Sequence, residues 1–134
     1  MKTYKFIALI AFFSLITSQN ITAQNVDVPN EITVALNSGD AGKLSAWLNN
    51  NVELVIGDKN DVYSKQQAIG IISDFFKNNS VLGFQVLHKG NREAASFVIG
   101  TLKTSSRNYR VYVLTRRTGK QSLIQQLRIE TNNE

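Results

Sequence analysis

The 134 residues include no cysteine, and only one histidine, one proline, one tryptophan and one methionine. Without cysteine there is no disulfide, no thiolate chemistry and no lipid-bearing cysteine. One histidine and no cysteine cannot build a zinc site. Asp58-Lys59-Asn60-Asp61 is slightly like a calcium loop but lacks the rest of the ligand pattern. Gly39-Asp40-Ala41-Gly42-Lys43 is too short for a phosphate loop and follows a helix rather than a strand. No metal and no cofactor are therefore expected. Such a chain must be held together by its apolar core alone, and 43% of it is hydrophobic.

Long hydrophobic runs are also missing, except at the start. Residues 1–5 are short and cationic, residues 6–16 are almost unbroken apolar, and a polar stretch then ends Ile21-Thr22-Ala23. That layout predicts a signal peptide over 1–23, cleaved after Ala23, with the mature domain at 24–134. The apolar run falls short of the roughly 20 residues of a membrane span. An exported protein is expected, periplasmic or extracellular, without stable membrane insertion after cleavage.

Acidic residues are scarce in the C-terminal part. The whole chain carries a formal +5. Residues 24–88 hold four Lys and seven Asp or Glu; residues 89–134 hold nine Lys or Arg and three Glu. Such asymmetry can mark a polyanion surface. The basic residues are spread over several strands and turns, so a solvated sheet face is the simpler reading and no nucleic-acid interface is expected.

What is abundant is β-branched and aromatic sequence between 92 and 130. Residues 92–104, 109–117 and 121–130 read as three long strands. The breaks, Ser105-Ser106-Arg107-Asn108 and Thr118-Gly119-Lys120, are short and polar, which predicts antiparallel neighbours. Upstream, Pro29 suits a helix start, and a short helix over 31–36 stops at Asn37-Ser38-Gly39. Ser38 or Asp40 caps a second helix over 41–48, where Leu44, Trp47 and Leu48 share a face. Asn49-Asn50-Asn51 ends it, residues 52–56 form a strand, 57–61 a turn, and Val62-Tyr63 a short return strand. Ser64-Lys65-Gln66-Gln67 is a capping box. The helix it opens lays Ile69, Ile72 and Phe76 on the sheet and ends at Asn78-Asn79. Residues 83–89 give one more strand. The class is α+β, with helices packed on a curved, mostly antiparallel sheet.

This element order is similar to the nuclear transport factor 2-like, or cystatin-like, cone. Val62-Tyr63-Ser64-Lys65-Gln66-Gln67-Ala68 and Asp74-Phe75-Phe76-Lys77-Asn78 resemble a family of small exported Bacteroidota proteins known only as a domain of unknown function. Phe97-Val98-Ile99-Gly100-Thr101-Leu102, Tyr109-Arg110-Val111-Tyr112 and residues 124–130 are similar to its later signature. The resemblance spans nearly all of 26–130. It implies the fold, export and a Gram-negative periplasmic setting, and no activity.

Enzymes of this broad fold use Asp, His or Tyr inside the cone, where an apolar pocket brings a pKa toward neutrality. On strict alternation His88 shares a face with Phe84 and Val86, pointing inward. Tyr63, Phe84, His88 and Gln125 are the pocket candidates. The carboxylates do not converge: Asp58 and Asp61 lie in a turn, Asp74 on a helix, Glu93 at a strand start, and Glu53 faces solvent. No catalytic residue is assigned, and a cone enzyme using His88 or Tyr63 is the alternative reading. Residues 109–129 carry apolar residues on both strand faces, so something other than helices is expected to cover one of them. Arg110, Tyr112, Leu114, Ile124, Gln126 and Arg128 would form that face, and Tyr and Arg are typical interface residues. The expectation is a non-enzymatic binding or dimerisation module. Its partner would be a second copy, making a homodimer through the sheet face, or a small apolar or anionic ligand between helices and sheet. A third reading is an anionic glycan or lipid met through Arg107, Arg110, Arg116, Arg117 and Lys120.

Overall fold

A computed structural model describes residues 27–132; the expected leader, 1–23, lies outside the described residues. Among the described residues, three helices pack on one curved, unclosed sheet of six strands. In chain order these are α1 (Asn30–Ser38), α2 (Ala41–Ser45), β1 (Leu48–Ile56), β2 (Lys59–Ser64), α3 (Lys65–Asn78), β3 (Val81–Arg92), β4 (Ala95–Thr104), β5 (Asn108–Thr118) and β6 (Gln121–Thr131). The sheet order is β2-β1-β6-β5-β4-β3. All neighbours are antiparallel except β1 and β6, which run parallel. This is the expected α+β arrangement.

Local chemistry explains where the helices start and stop. Pro29 sits just before α1, with φ −53° and ψ 134°, and makes no side-chain cap. Gly39 closes α1 in the left-handed region at φ 62°, where its own N–H reaches the Leu36 carbonyl and that of Asp40 reaches Ala35. A Cβ there would strain the backbone and also meet Val81. Of the two expected caps, Asp40 is the one used: its carboxylate accepts the Lys43 N–H at 2.9 Å. The capping box on α3 forms as expected, with the Gln67 N–H on the Ser64 hydroxyl and the Gln67 side chain back on the Ser64 N–H. Asn79 ends α3 and donates to the Phe75 carbonyl.

Four expectations are corrected here. The second helix does not run to Leu48; it ends at Ser45, and Leu48 opens β1 opposite Ile124. Leu44 and Leu48 are both buried as their spacing suggested, but one faces in from a helix and the other from a strand. Asn49-Asn50-Asn51 therefore belongs to β1 rather than stopping a helix. The turn after β1 is only Gly57-Asp58, so β2 is longer than Val62-Tyr63. Arg92 belongs to β3, and Glu93-Ala94 turns the chain into β4.

The concave side of the sheet is filled. Ile32, Ala35 and Leu36 of α1, Leu44 of α2, and Ala68, Ile72 and Phe76 of α3 meet Val52, Leu54, Val98, Leu102, Val111, Val113, Leu127 and Ile129. Ile69 packs against this core but stays partly exposed. α1 lies along β3, where the Asn37 side chain accepts the Phe84 N–H at 3.0 Å, and α3 lies along β1 and β2. A buried hydroxyl pair, Ser96 and Thr115 at 2.7 Å, joins β4 to β5. Among the described residues no buried side-chain polar atom lacks a partner.

Two bulges decide what faces outward. Val86 pairs with Gly100, and His88 pairs with the next residue, Ile99, so Leu87 is the extra residue. The alternation of β3 flips there, and His88 lands on the convex side with Ile99 rather than inward with Phe84. On β6, Leu114 pairs with Gln126 and Thr115 with Ile124, so Gln125 is extra. Ile124 is thereby turned into the core, fully buried, and is not an interface residue.

Candidate functional site on the outer sheet face

Because the sheet is regular between the bulges, its convex side can be read as rows. One row crosses all six strands: His88, Ile99, Tyr112, Arg128, Val55 and Asn60. The row beside it runs Phe97, Leu114, Gln126, Glu53 and Val62. On the other side lie Thr101, Arg110 and Glu130. The Phe97 and Tyr112 rings stack with centroids 6.2 Å apart. A trough of about 340 Å³ opens between the rows, lined by Ile99, Arg110, Tyr112, Gln126, Arg128 and Glu130.

The electrostatics of this face are mixed. Arg128 donates to Glu130 at 2.8 Å, with both side chains 45% exposed. Such an exposed pair contributes about 0–1 kcal/mol. Arg110 has no partner among the described residues, so its donors face solvent. The centre is apolar and aromatic, and cations and acids surround it. Arg110, Tyr112, Leu114, Gln126 and Arg128 share this face as the strand alternation predicts; Ile124 does not. Ile99, Phe97 and Glu130 complete it. Alternation along β4 would have found the first two.

The pocket candidates do not come together. Tyr63 is on β2 and Phe84 on β3, the two opposite edges of the sheet. Both pack partly against the core. His88 is exposed on the convex side, and Gln125 is exposed at its bulge, where it accepts from Arg116 Nε at 2.9 Å. On the helix side a cleft of about 540 Å³ opens at one end, between the last turn of α3 and the ends of β1, β5 and β6. Phe75 and Tyr109 meet edge-on across it at 5.0 Å. Its polar centre, Asn79, is already used: its carbonyl oxygen accepts from both Tyr109 and Ser106 at 2.9 Å. No pair of acid and base side chains converges there. Among the described residues no group of three or more His, Cys, Asp or Glu could hold a metal ion.

Comparison with known proteins bears on this geometry. The model of the domain of unknown function DUF4783 matches residues 29–130. The chain belongs to the DUF4783 family. A DUF4783 protein from Bacteroides ovatus is 37% identical, over 80% of this chain and 97% of its own, with a TM-score of 0.77. One from Bacteroides uniformis is 34% identical, over 80% and 99%, with a TM-score of 0.76. A Streptomyces avermitilis protein of the nuclear transport factor 2-like family is 14% identical over 78% and 91%, with a TM-score of 0.55, and shows the fold alone. No curated protein matches. DUF4783 thus brings a nuclear transport factor 2-like cone and no assigned activity, as the resemblance implied.

Proposed function

We propose that this chain is an exported, non-enzymatic binding module whose working surface is the outer face of β4, β5 and β6, and that its partner there is a second copy of the chain. One observation carries the reading: an aromatic and aliphatic centre, Phe97, Ile99, Tyr112 and Leu114, stands on the side of the sheet that no helix covers, ringed by charges of both signs. A two-fold pairing sets a patch against itself in reversed order. Arg110 and Arg128 of one copy then meet Glu130 and Glu53 of the other, while the apolar centres stack. The filled concave side and the separation of Tyr63 from His88 favour this over a cone enzyme.

Sedimentation of the chain from Gln24 onward, over a range of concentrations, tests it. A dimer is expected, persisting in high salt because its centre is apolar. Tyr112→Glu should weaken self-association by at least about a hundredfold, since a central aromatic anchor is replaced by an unpaired buried charge. A monomer at every concentration would remove the second copy from the reading. The export half has its own check: protein recovered outside the cytoplasm should begin at Gln24. An intact Met1 there would refute cleavage.

A further inference from the structure

The sheet has a second feature, independent of that face. At one end the β3–β4 and β5–β6 hairpin tips lie side by side, joined by the Ala95–Arg116 register and by the Arg117 N–H on the Ala94 carbonyl at 2.9 Å. This brings together Arg92 at the end of β3, Arg116 and Arg117 at the end of β5, and Lys120 in the turn after it, all exposed. Lys89 lies three residues behind Arg92. The acids nearby are Glu93 in the first turn and Asp27, which accepts from Asn91. Arg116 and Arg117 donate through Nε to neutral oxygens, those of the Gln125 side chain and the Gly119 backbone. Among the described residues none of the four tip cations pairs with a carboxylate. With only Glu93 and Asp27 beside them, this end carries net positive charge. Arg107 and Arg110, which the sequence grouped with them, lie toward the opposite end.

We propose that these paired tips dock the domain on a phospholipid bilayer bearing anionic headgroups. The cations stand at the ends of two adjacent hairpins, an arrangement that an extended anionic plane fits better than a small ligand does. The chain's one tryptophan, Trp47, lies toward the same end, packed in part against the core and in part open to solvent, and its carbonyl accepts the Ile124 N–H at 2.7 Å. From there Lys120 is about 13 Å away along the strand. Tryptophan, arginine and lysine are the residue types that sit at headgroup depth. The contact is peripheral and electrostatic, and leaves the outer sheet face free.

The test uses the chain from Gln24, which carries every element described above but not the apolar 6–16 run that would bind lipid by itself. Flotation with phosphatidylglycerol-containing vesicles should show binding that falls with salt and is absent with pure phosphatidylcholine. Trp47 emission should shift to the blue on binding. Arg117→Glu with Lys120→Glu should weaken binding at least about tenfold. Lys103→Glu with Arg107→Glu makes the same charge change at the other end, on exposed sites, and should stay within about threefold. Equal losses in the two variants would reduce the effect to net charge and overturn the proposal. So would the absence of vesicle binding. Tip-dependent binding to a soluble sulfated polysaccharide without vesicle binding would assign the surface to a glycan instead, and also overturns it.

Discussion

Ile124→Ala is expected to lower the stability of the domain by about 2–5 kcal/mol, and Leu123→Ala by less than about 1 kcal/mol. The two residues are neighbours and both are large and apolar. A uniform strand would put Leu123 inside with Leu127 and leave Ile124 outside. The bulge at Gln125 reverses this: Ile124 pairs with buried Thr115 and has no exposed surface, whereas Leu123 pairs with Arg116 on the convex side. Truncating Ile124 opens a void among side chains that relax only in part, and truncating Leu123 removes surface that water already reaches. Urea unfolding of both variants, with m unchanged, measures the difference. Equal midpoints, or a larger loss for Leu123→Ala, would mean that β6 lies in the other register. The same result would return Ile124 to the outer face beside Gln126 and Arg128, so this stability measurement also tests which residues form the candidate surface.

The parts of the fold legible in the sequence are those that short-range chemistry fixes. The Ser64–Gln67 box needs only three residues of spacing, and it marks α3 to the residue. The hairpin between β5 and β6 follows from Thr118-Gly119-Lys120, whose glycine takes φ 64°. Alternation along β5 places Arg110, Tyr112 and Leu114 on one face, and it does so because β5 is uninterrupted. The misreadings share one cause: they depend on how a strand pairs with its partner, whether that partner is the next strand or a distant one. Leu87 and Gln125 are extra residues only relative to β4 and β5, so neither bulge leaves a mark in its own strand, and His88 and Ile124 change sides unannounced. Leu48 satisfies helical spacing from Leu44, but the parallel pairing with β6, more than seventy residues on, claims it for β1. The separation of Tyr63 from His88 is likewise a property of strand order. Pocket membership was the least legible feature because it is the most non-local one.

Gly100→Ala tests the packing that sets the curvature at the β3 edge, and is expected to cost about 3 kcal/mol or more. Gly100 lies within β4, where glycine weakens a strand unless something occupies the space of its missing side chain. Here the Phe84 ring lies diagonally across it: an added Cβ would fall 2.5 Å from the ring and closer still to the Gln85 carbonyl oxygen. A ring can rotate away. A carbonyl held in a strand cannot move without shifting β3, whose next residues form the bulge that turns His88 outward. Gly90 provides the comparison. There an added Cβ would meet only the Phe97 ring, at 2.7 Å, near the end of the same strand pair. Gly90→Ala is therefore expected to cost about 1 kcal/mol. Phe84→Leu added to Gly100→Ala should recover only part of the loss, because the carbonyl remains. Thermal and urea unfolding of the three variants decide the matter. Full recovery by Phe84→Leu would mean that the ring alone excludes a side chain at Gly100. A loss below about 0.5 kcal/mol for Gly100→Ala would mean that β3 and β4 are not held this closely, and the outward placement of His88 would lose its support.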